Sequence, residues 1–145
     1  MDIRGKRLVV LGGAGLIGSH TVDLLTQEDV GEIVIYDNFV RGSHENLADA
    51  LKDPRVGIFE AGGDICQTDV LNQVLKGAHG VFHFAALWLL HCHDYPRSAF
   101  DVNVRGTFNV LEACVANDVG RLVYSSSASV YGDPWTKDKG RCAIT

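Results

Sequence analysis

Three glycines, Gly12, Gly15 and Gly18, follow one another at equal spacing directly after the apolar run Leu8-Val-Val-Leu11. Residues of this kind at this spacing suit a close approach of backbone to a charged ligand. Gly12 would let the chain turn sharply off a strand, Gly15 would let main-chain amides reach a diphosphate, and Gly18 would let a helix settle tightly on a sheet. The anion would lie against N–H groups at the helix N-terminus, where unsatisfied donors and the helix dipole favour negative charge. A plain structural turn can use the same glycines. Two neighbours favour the ligand-binding version. A strand pattern precedes the trio and a helical one follows it through Leu16, Ile17, Thr21, Leu24 and Leu25. Asp37 then closes the next strand pattern about 20 residues beyond Gly18, where a ribose-binding carboxylate belongs.

Other residues carry chemistry with an ordinary alternative beside it. Asp37 can accept hydrogen bonds from both hydroxyls of an adenosine ribose and would repel a 2′-phosphate, which favours NAD over NADP; it can equally cap a turn at the strand end. Arg41 stands close by and can meet a phosphate. Asp64 and Ile65 follow the third strand pattern, where a carboxylate can take an adenine amino group or cap the next helix. Phe84-Ala-Ala-Leu87 is small enough in the middle to let backbone approach a sugar or phosphate, or simply to let a helix pack on a strand. The cluster Ser125-Ser-Ser-Ala-Ser129 follows the fifth strand pattern and can set a hydroxyl against a substrate oxygen, although serine-rich loops are common there. His91 and His93 could chelate a metal from a loop, but no third and fourth ligand accompany them, so no metal is expected.

These residues need a frame. The 145-residue chain carries a net charge of −5 and 46% hydrophobic residues, enough for one domain with a sizeable core and unsuited to a nucleic-acid or anionic-membrane partner. Four dispersed cysteines form no Cys-x-x-Cys pair. The charged N-terminus has no apolar signal core, so a reduced, cytoplasmic setting is expected. The longest apolar stretch, residues 81–90, is far short of the roughly 20 residues that span a bilayer. Strands are expected over residues 8–11, 32–37, 55–60, 80–84 and 121–125. Helices are expected over 16–27, 69–75 and 96 to about 117, with a short helical connection over 44–51. Alternating strands and helices imply a parallel sheet covered on both faces. The last helix shows two apolar stripes, one through Phe100, Val104, Phe108, Leu111 and Val115, the other through Val102, Gly106, Val110 and Ala113. One stripe suffices to cover a sheet, so the second implies another helix or another subunit.

Taken together the motifs resemble those of the extended short-chain dehydrogenase/reductase family, in its NAD-dependent epimerase/dehydratase branch of UDP-glucose 4-epimerase-like, nucleotide-sugar enzymes. The matching segments are Gly12-Gly-Ala-Gly-Leu-Ile-Gly-Ser-His20, Tyr36-Asp-Asn38, Gly63-Asp-Ile65, His83-Phe-Ala-Ala86, Asn103-Val-Arg-Gly-Thr-Phe-Asn-Val-Leu-Glu-Ala113 and the run from Ser125 to Gly132. They occur in family order across about residues 7–132. The resemblance implies a Rossmann-type doubly wound α/β domain over residues 1–132, followed by a divergent tail over 133–145. By position it implies that Gly12, Gly15, Leu16, Ile17 and Gly18 cradle the pyrophosphate and that Asp37 and Asn38 hold the adenosine ribose. Asp64 and Ile65 would hold adenine, while Phe84, Ala85, Ala86, Leu87 and Ser125 line the middle of the cofactor cleft. Asn103 would reach from the long helix to the loops after the fourth and fifth strands. Ser127 matches the catalytic hydroxyl that hydrogen-bonds the reacting sugar oxygen. The implied partners are NAD, a nucleotide-sugar substrate and further copies of the chain.

The sequence departs from the family at its base, a tyrosine followed four residues on by a lysine that lowers its pKa. Four residues after Tyr36, Tyr95, Tyr124 and Tyr131 stand Val40, Ala99, Ala128 and Trp135. Tyr131 belongs to the Val-Tyr-Gly signature instead. Leu11 also replaces a threonine before the first glycine. The expectation is therefore a front half, lacking the helix that carries the base, the later strands and the sugar-binding region, and inactive by itself. A non-catalytic dinucleotide-binding or regulatory module on the same fold is the alternative.

Overall fold

Leu8, Val9, Val10 and Leu11 are all fully buried, because their strand lies at the centre of a sheet with both faces covered. β1 (Arg7–Leu11), β2 (Glu32–Tyr36), β3 (Val56–Ile58), β4 (Gly80–His83) and β5 (Arg121–Tyr124) form one parallel sheet in the order β3-β2-β1-β4-β5. The computed structural model describes residues 2–131; Gly132 and the tail over 133–145 lie outside the described residues. Side chains alternate between faces along each strand. Val9, Leu11, Val34, Tyr36 and Val81 meet α2 (Thr68–Leu75) and α5 (Thr107–Ala116) on one side. Leu8, Val10, Ile33 and Ile35 meet α1 (Leu16–Thr26) and the loop carrying Leu47 and Ala50 on the other. This is the doubly wound Rossmann arrangement that the alternating pattern implies.

From β1 the chain winds outward through β2 to β3, then returns to place β4 on the other side of β1. Leu11 is level with both Tyr36 and His83, so three strands end together where the winding reverses. Crevices in open parallel sheets lie at such reversal points, beyond the carboxyl ends of the strands.

Three elements differ from the sequence expectation. The connection over 44–51 is two 3-10 turns, His44–Leu47 and Ala50–Lys52, because only Leu47 and Ala50 face inward and no amphipathic helix face exists. Residues 89–94, expected as loop, form a short helix, α3 (Leu89–Asp94), whose Cys92 N–H reaches the Trp88 carbonyl at 3.0 Å; no α3 residue is buried, so no hydrophobic period announces it. The long helix runs as α4 (Pro96–Ala99), a π-helical segment (Phe100–Gly106) and α5. Its inner stripe is buried at Gly106, Val110 and Ala113. The outer stripe of Phe100, Val104, Phe108, Leu111 and Val115 is exposed among the described residues, Val115 by 80%. No helix among the described residues is long and apolar enough to cross a membrane.

Candidate functional site: a two-lobed cleft at the strand ends

The three glycines of the first turn have different reasons to be glycine. Gly12 has φ +78°, and a Cβ there would stand 2.6 Å from the Ala85 nitrogen, since the loop after β4 crosses directly over the turn. A Cβ at Gly18 would run into the Gly12 carbonyl oxygen, so α1 seats on the turn only without a side chain. Gly15 is unlike either. Its backbone is extended (φ −73°, ψ 173°), and a Cβ would meet only the Gly12 oxygen at 3.4 Å, an ordinary contact. Nothing in the protein demands glycine there, yet Gly15 faces the cleft, where an added methyl would take up ligand space. It caps α1 with no side-chain hydrogen bond, which leaves the first-turn amides to other acceptors.

Asp37 is tied to this turn. Its Oδ2 accepts from the Ala14 N–H at 2.9 Å and its Oδ1 from the Phe39 N–H at 2.8 Å. The side chain thus caps its own turn and is held against the glycine loop at once. The following loop folds back onto the same place, with Asn46 Nδ2 donating to the Ala14 carbonyl at 2.8 Å and the Ser43 N–H reaching it at 3.3 Å. Asp64 spends Oδ1 on the Cys66 N–H at 2.9 Å, a turn within its own loop and not a cap of α2, whose N-cap is Gln67, while its carbonyl accepts from the Tyr36 hydroxyl at 2.9 Å. Asn109 donates to the Ile65 carbonyl at 3.1 Å, so the long helix supports the Asp64–Ile65 loop from behind.

Asn103 projects from the π-helical segment and grips one residue of the loop after β4. Its Oδ1 accepts from the Leu87 N–H at 2.7 Å and its Nδ2 donates to the Leu87 carbonyl at 2.9 Å. Its Nδ2 also donates to the Cys92 sulfur at 3.4 Å, and Asn103 shares the larger lobe with the loop after β5. The Phe84 N–H is fastened to the Leu11 carbonyl at 2.8 Å, which fixes the start of that loop over the first turn.

These loops enclose one cleft with two lobes. The smaller, of about 160 Å³, is lined by Asp37, Asn38, Asp64 and Ile65 among others. The larger, of about 840 Å³, is lined by Leu16, Ile17, Gly18, Asn103, Ser125 and Ser127 among others, and lies within the range of about 300–1,000 Å³ usual for ligand sites. Gly12, Gly15, Phe84, Ala85, Ala86 and Leu87 border both. Every residue to which the resemblance gives a cofactor or catalytic role lines one lobe or both, whereas His91 and His93 line neither. Sequence reasoning missed Trp88, Asn46, Cys92 and Thr107, which also line it; of these only Trp88, an aromatic next to the Phe84-Ala-Ala-Leu87 segment, carried a signal.

His83 forms the floor of the larger lobe. It is buried, its Nε2 lies 3.1 Å from the Thr107 hydroxyl, and its Nδ1 has no hydrogen-bond partner among the described residues. Burial pushes its pKa down to about 4, so the ring is neutral at pH 7. His91 and His93 sit on α3 and face Tyr95 and Asp94 respectively. No group of three or more His, Cys, Asp or Glu side chains among the described residues could hold a metal.

A glycine turn shared by two lobes, with a carboxylate in one and serines in the other, defines a dinucleotide-binding domain of the Rossmann type, and the room left at Gly15 fits a diphosphate at the turn. The chain belongs to the 3-beta hydroxysteroid dehydrogenase/isomerase family, whose model matches residues 9–141. It is 37% identical over 131 residues to human 3 beta-hydroxysteroid dehydrogenase type 7, covering 89% of this chain and 34% of that protein. It is 40% identical over 130 residues to the bifunctional protein GAL10 of Candida maltosa, covering 86% of this chain and 84% of that sequence. Among solved structures it is similar to DesIV, a dTDP-glucose 4,6-dehydratase from Streptomyces venezuelae with NAD bound, at a TM-score of 0.80 and 34% identity over 88% of this chain and 41% of that one. The chain thus spans about a third of the human relative's length, and the epimerase/dehydratase resemblance carried by its motifs holds.

Proposed function

We propose that this chain is the NAD-binding region of an NAD-dependent nucleotide-sugar epimerase or dehydratase, and that by itself it binds the cofactor without turning over sugar. The observation that carries the reading is the tie between Asp37 and the glycine turn through the Ala14 N–H. It sets a carboxylate, suited to a ribose, beside amides suited to a diphosphate. When bound, NAD supplies a hydride acceptor that can later return the hydride. The chain's own residues divide the remaining work. Gly12, Gly15, Leu16, Ile17 and Gly18 receive the diphosphate. Asp37 and Asn38 take the adenosine ribose and disfavour a 2′-phosphate, and Asp64 and Ile65 take adenine. Phe84, Ala85, Ala86 and Leu87 wall the middle, with Asn103 holding Leu87 in place. Ser127 and Ser125 stand in the larger lobe, where Ser127 offers its hydroxyl to a substrate oxygen. The reading of no turnover rests on the missing Tyr-x-x-x-Lys, and it allows a purely regulatory dinucleotide-binding role for the isolated chain.

The exposed outer stripe of the long helix supports self-association, with a second copy covering Phe100, Phe108 and Leu111. Calorimetric titration with NAD and NADP tests the cofactor: NAD binds and NADP binds more weakly. Assays with UDP-glucose, UDP-galactose and a 3β-hydroxysteroid are expected to show no turnover. Absence of any NAD heat refutes the assignment, and a monomer in gel filtration at micromolar concentration refutes the self-association.

A further inference from the structure

The cleft is bridged at its middle. Arg41, on the loop after β2, lays its guanidinium over the ring of Trp88, on the loop after β4, with Cζ 4.6 Å from the ring centroid, well within cation–π range. Arg41 borders both lobes, as Gly12 and Gly15 do, so it stands at the junction where the glycine turn lies. Its loop is fastened there, since the Ser43 N–H two residues on reaches the Ala14 carbonyl at 3.3 Å. Among the described residues lining the cleft Arg41 is the one arginine or lysine, and it shares the smaller lobe with Asp37 and Asp64. No carboxylate among the described residues pairs with it.

We propose that Arg41 and Trp88 form a clasp over the cleft in which Trp88 presents the Arg41 guanidinium to the diphosphate of the bound dinucleotide. The inference rests on the cofactor reading above and deepens it. A dinucleotide brings two negative charges to a turn bordered by two carboxylates, and Arg41 supplies the countercharge. A guanidinium stacked by its face keeps its in-plane N–H groups for a phosphate, a geometry that a lysine ammonium cannot copy. The ring and the phosphate therefore do not compete for Arg41, and the two loops stay joined across the bound ligand.

The test is calorimetric titration of the 145-residue chain and the variants Arg41→Gln, Arg41→Lys, Trp88→Phe and Trp88→Leu with NAD and with adenosine, which has no phosphate, at low and high salt. Arg41→Gln is expected to weaken NAD about tenfold or more, the loss of one charge-assisted hydrogen bond, and to flatten the salt dependence while adenosine binding stays as in wild type. Arg41→Lys recovers only part of the loss. Trp88→Phe stays near wild type, and Trp88→Leu falls toward Arg41→Gln. Wild-type NAD affinity in Arg41→Gln overturns the clasp alone, as does an equal loss of adenosine, which would mean the loop had merely come apart. A wild-type chain that binds neither ligand overturns the cofactor reading and the clasp with it.

Discussion

Replacing Gly15 by alanine separates a glycine required by a ligand from those required by the fold. At φ −73° and ψ 173° the new methyl meets only the Gly12 oxygen, at 3.4 Å. Alanine is unstrained there and narrows the unfolded ensemble, a gain of about 0.4–1 kcal/mol that offsets its poorer capping of α1 at this N-cap position, so Gly15→Ala should be about as stable as wild type. The same methyl enters the space shared by both lobes and holds a diphosphate off the amides of the first helical turn. One lost charge-assisted hydrogen bond, about 1.5–3 kcal/mol, corresponds to NAD binding weakened roughly tenfold to a hundredfold. Gly18→Ala is the contrast. Its methyl runs into the Gly12 carbonyl, a backbone group with nowhere to move, and overpacking of this kind costs about 1–3 kcal/mol. Thermal melts and calorimetric titration with NAD measure both effects. Gly15→Ala with wild-type NAD affinity, or with a melting temperature lowered like that of Gly18→Ala, would refute the division of roles.

Two further outcomes follow from the packing around the cleft. His83 has a folded pKa of about 4 against an ordinary 6.5, so the unfolded chain holds the extra proton between those values and stability rises with pH across that window. Acidification from pH 7 to 5 should cost about 2 kcal/mol through this group, and His83→Leu should flatten that part of the pH profile in urea unfolding; an unchanged slope counts against it. Asn103→Ala removes the Leu87 N–H's acceptor and one of its carbonyl's two donors, the Cys92 thiol remaining, which should destabilise the chain by about 1–3 kcal/mol. Limited proteolysis should then open the loop after β4 faster than in wild type, and equal cleavage rates would contradict the grip.

The central strands are legible because a parallel sheet buried on both faces requires continuous apolar runs, and Leu8-Val-Val-Leu11 and Ile33-Val-Ile-Tyr36 are such runs. The cleft residues are legible because glycines, strand-end carboxylates and loop serines recur at strand ends of known spacing. What stays hidden arises from meetings between loops. Arg41 and Trp88 come together only because β2 and β4 flank β1. His83 reads as one more residue of an apolar strand, and its unpartnered Nδ1 appears only once Thr107 and the sheet surround it. α3 buries none of its residues, and the π-helical segment leaves the spacing of apolar residues almost unchanged, so neither has a pattern to read.

The position of β1 sets the order in which the molecule can assemble. Of the five strands it is synthesised first yet lies innermost. One flank is matched once β2 emerges, but the other waits for β4, where Leu8 pairs with Gly80. Such distant parallel pairings are slow to form, so the nascent chain carries a half-paired hydrophobic strand from the emergence of β2 until that of β4. Docking of β4 also lays Ala85 across Gly12, which makes completion of the core and creation of the nucleotide cradle a single event. A nascent chain stalled before residue 85 would have neither.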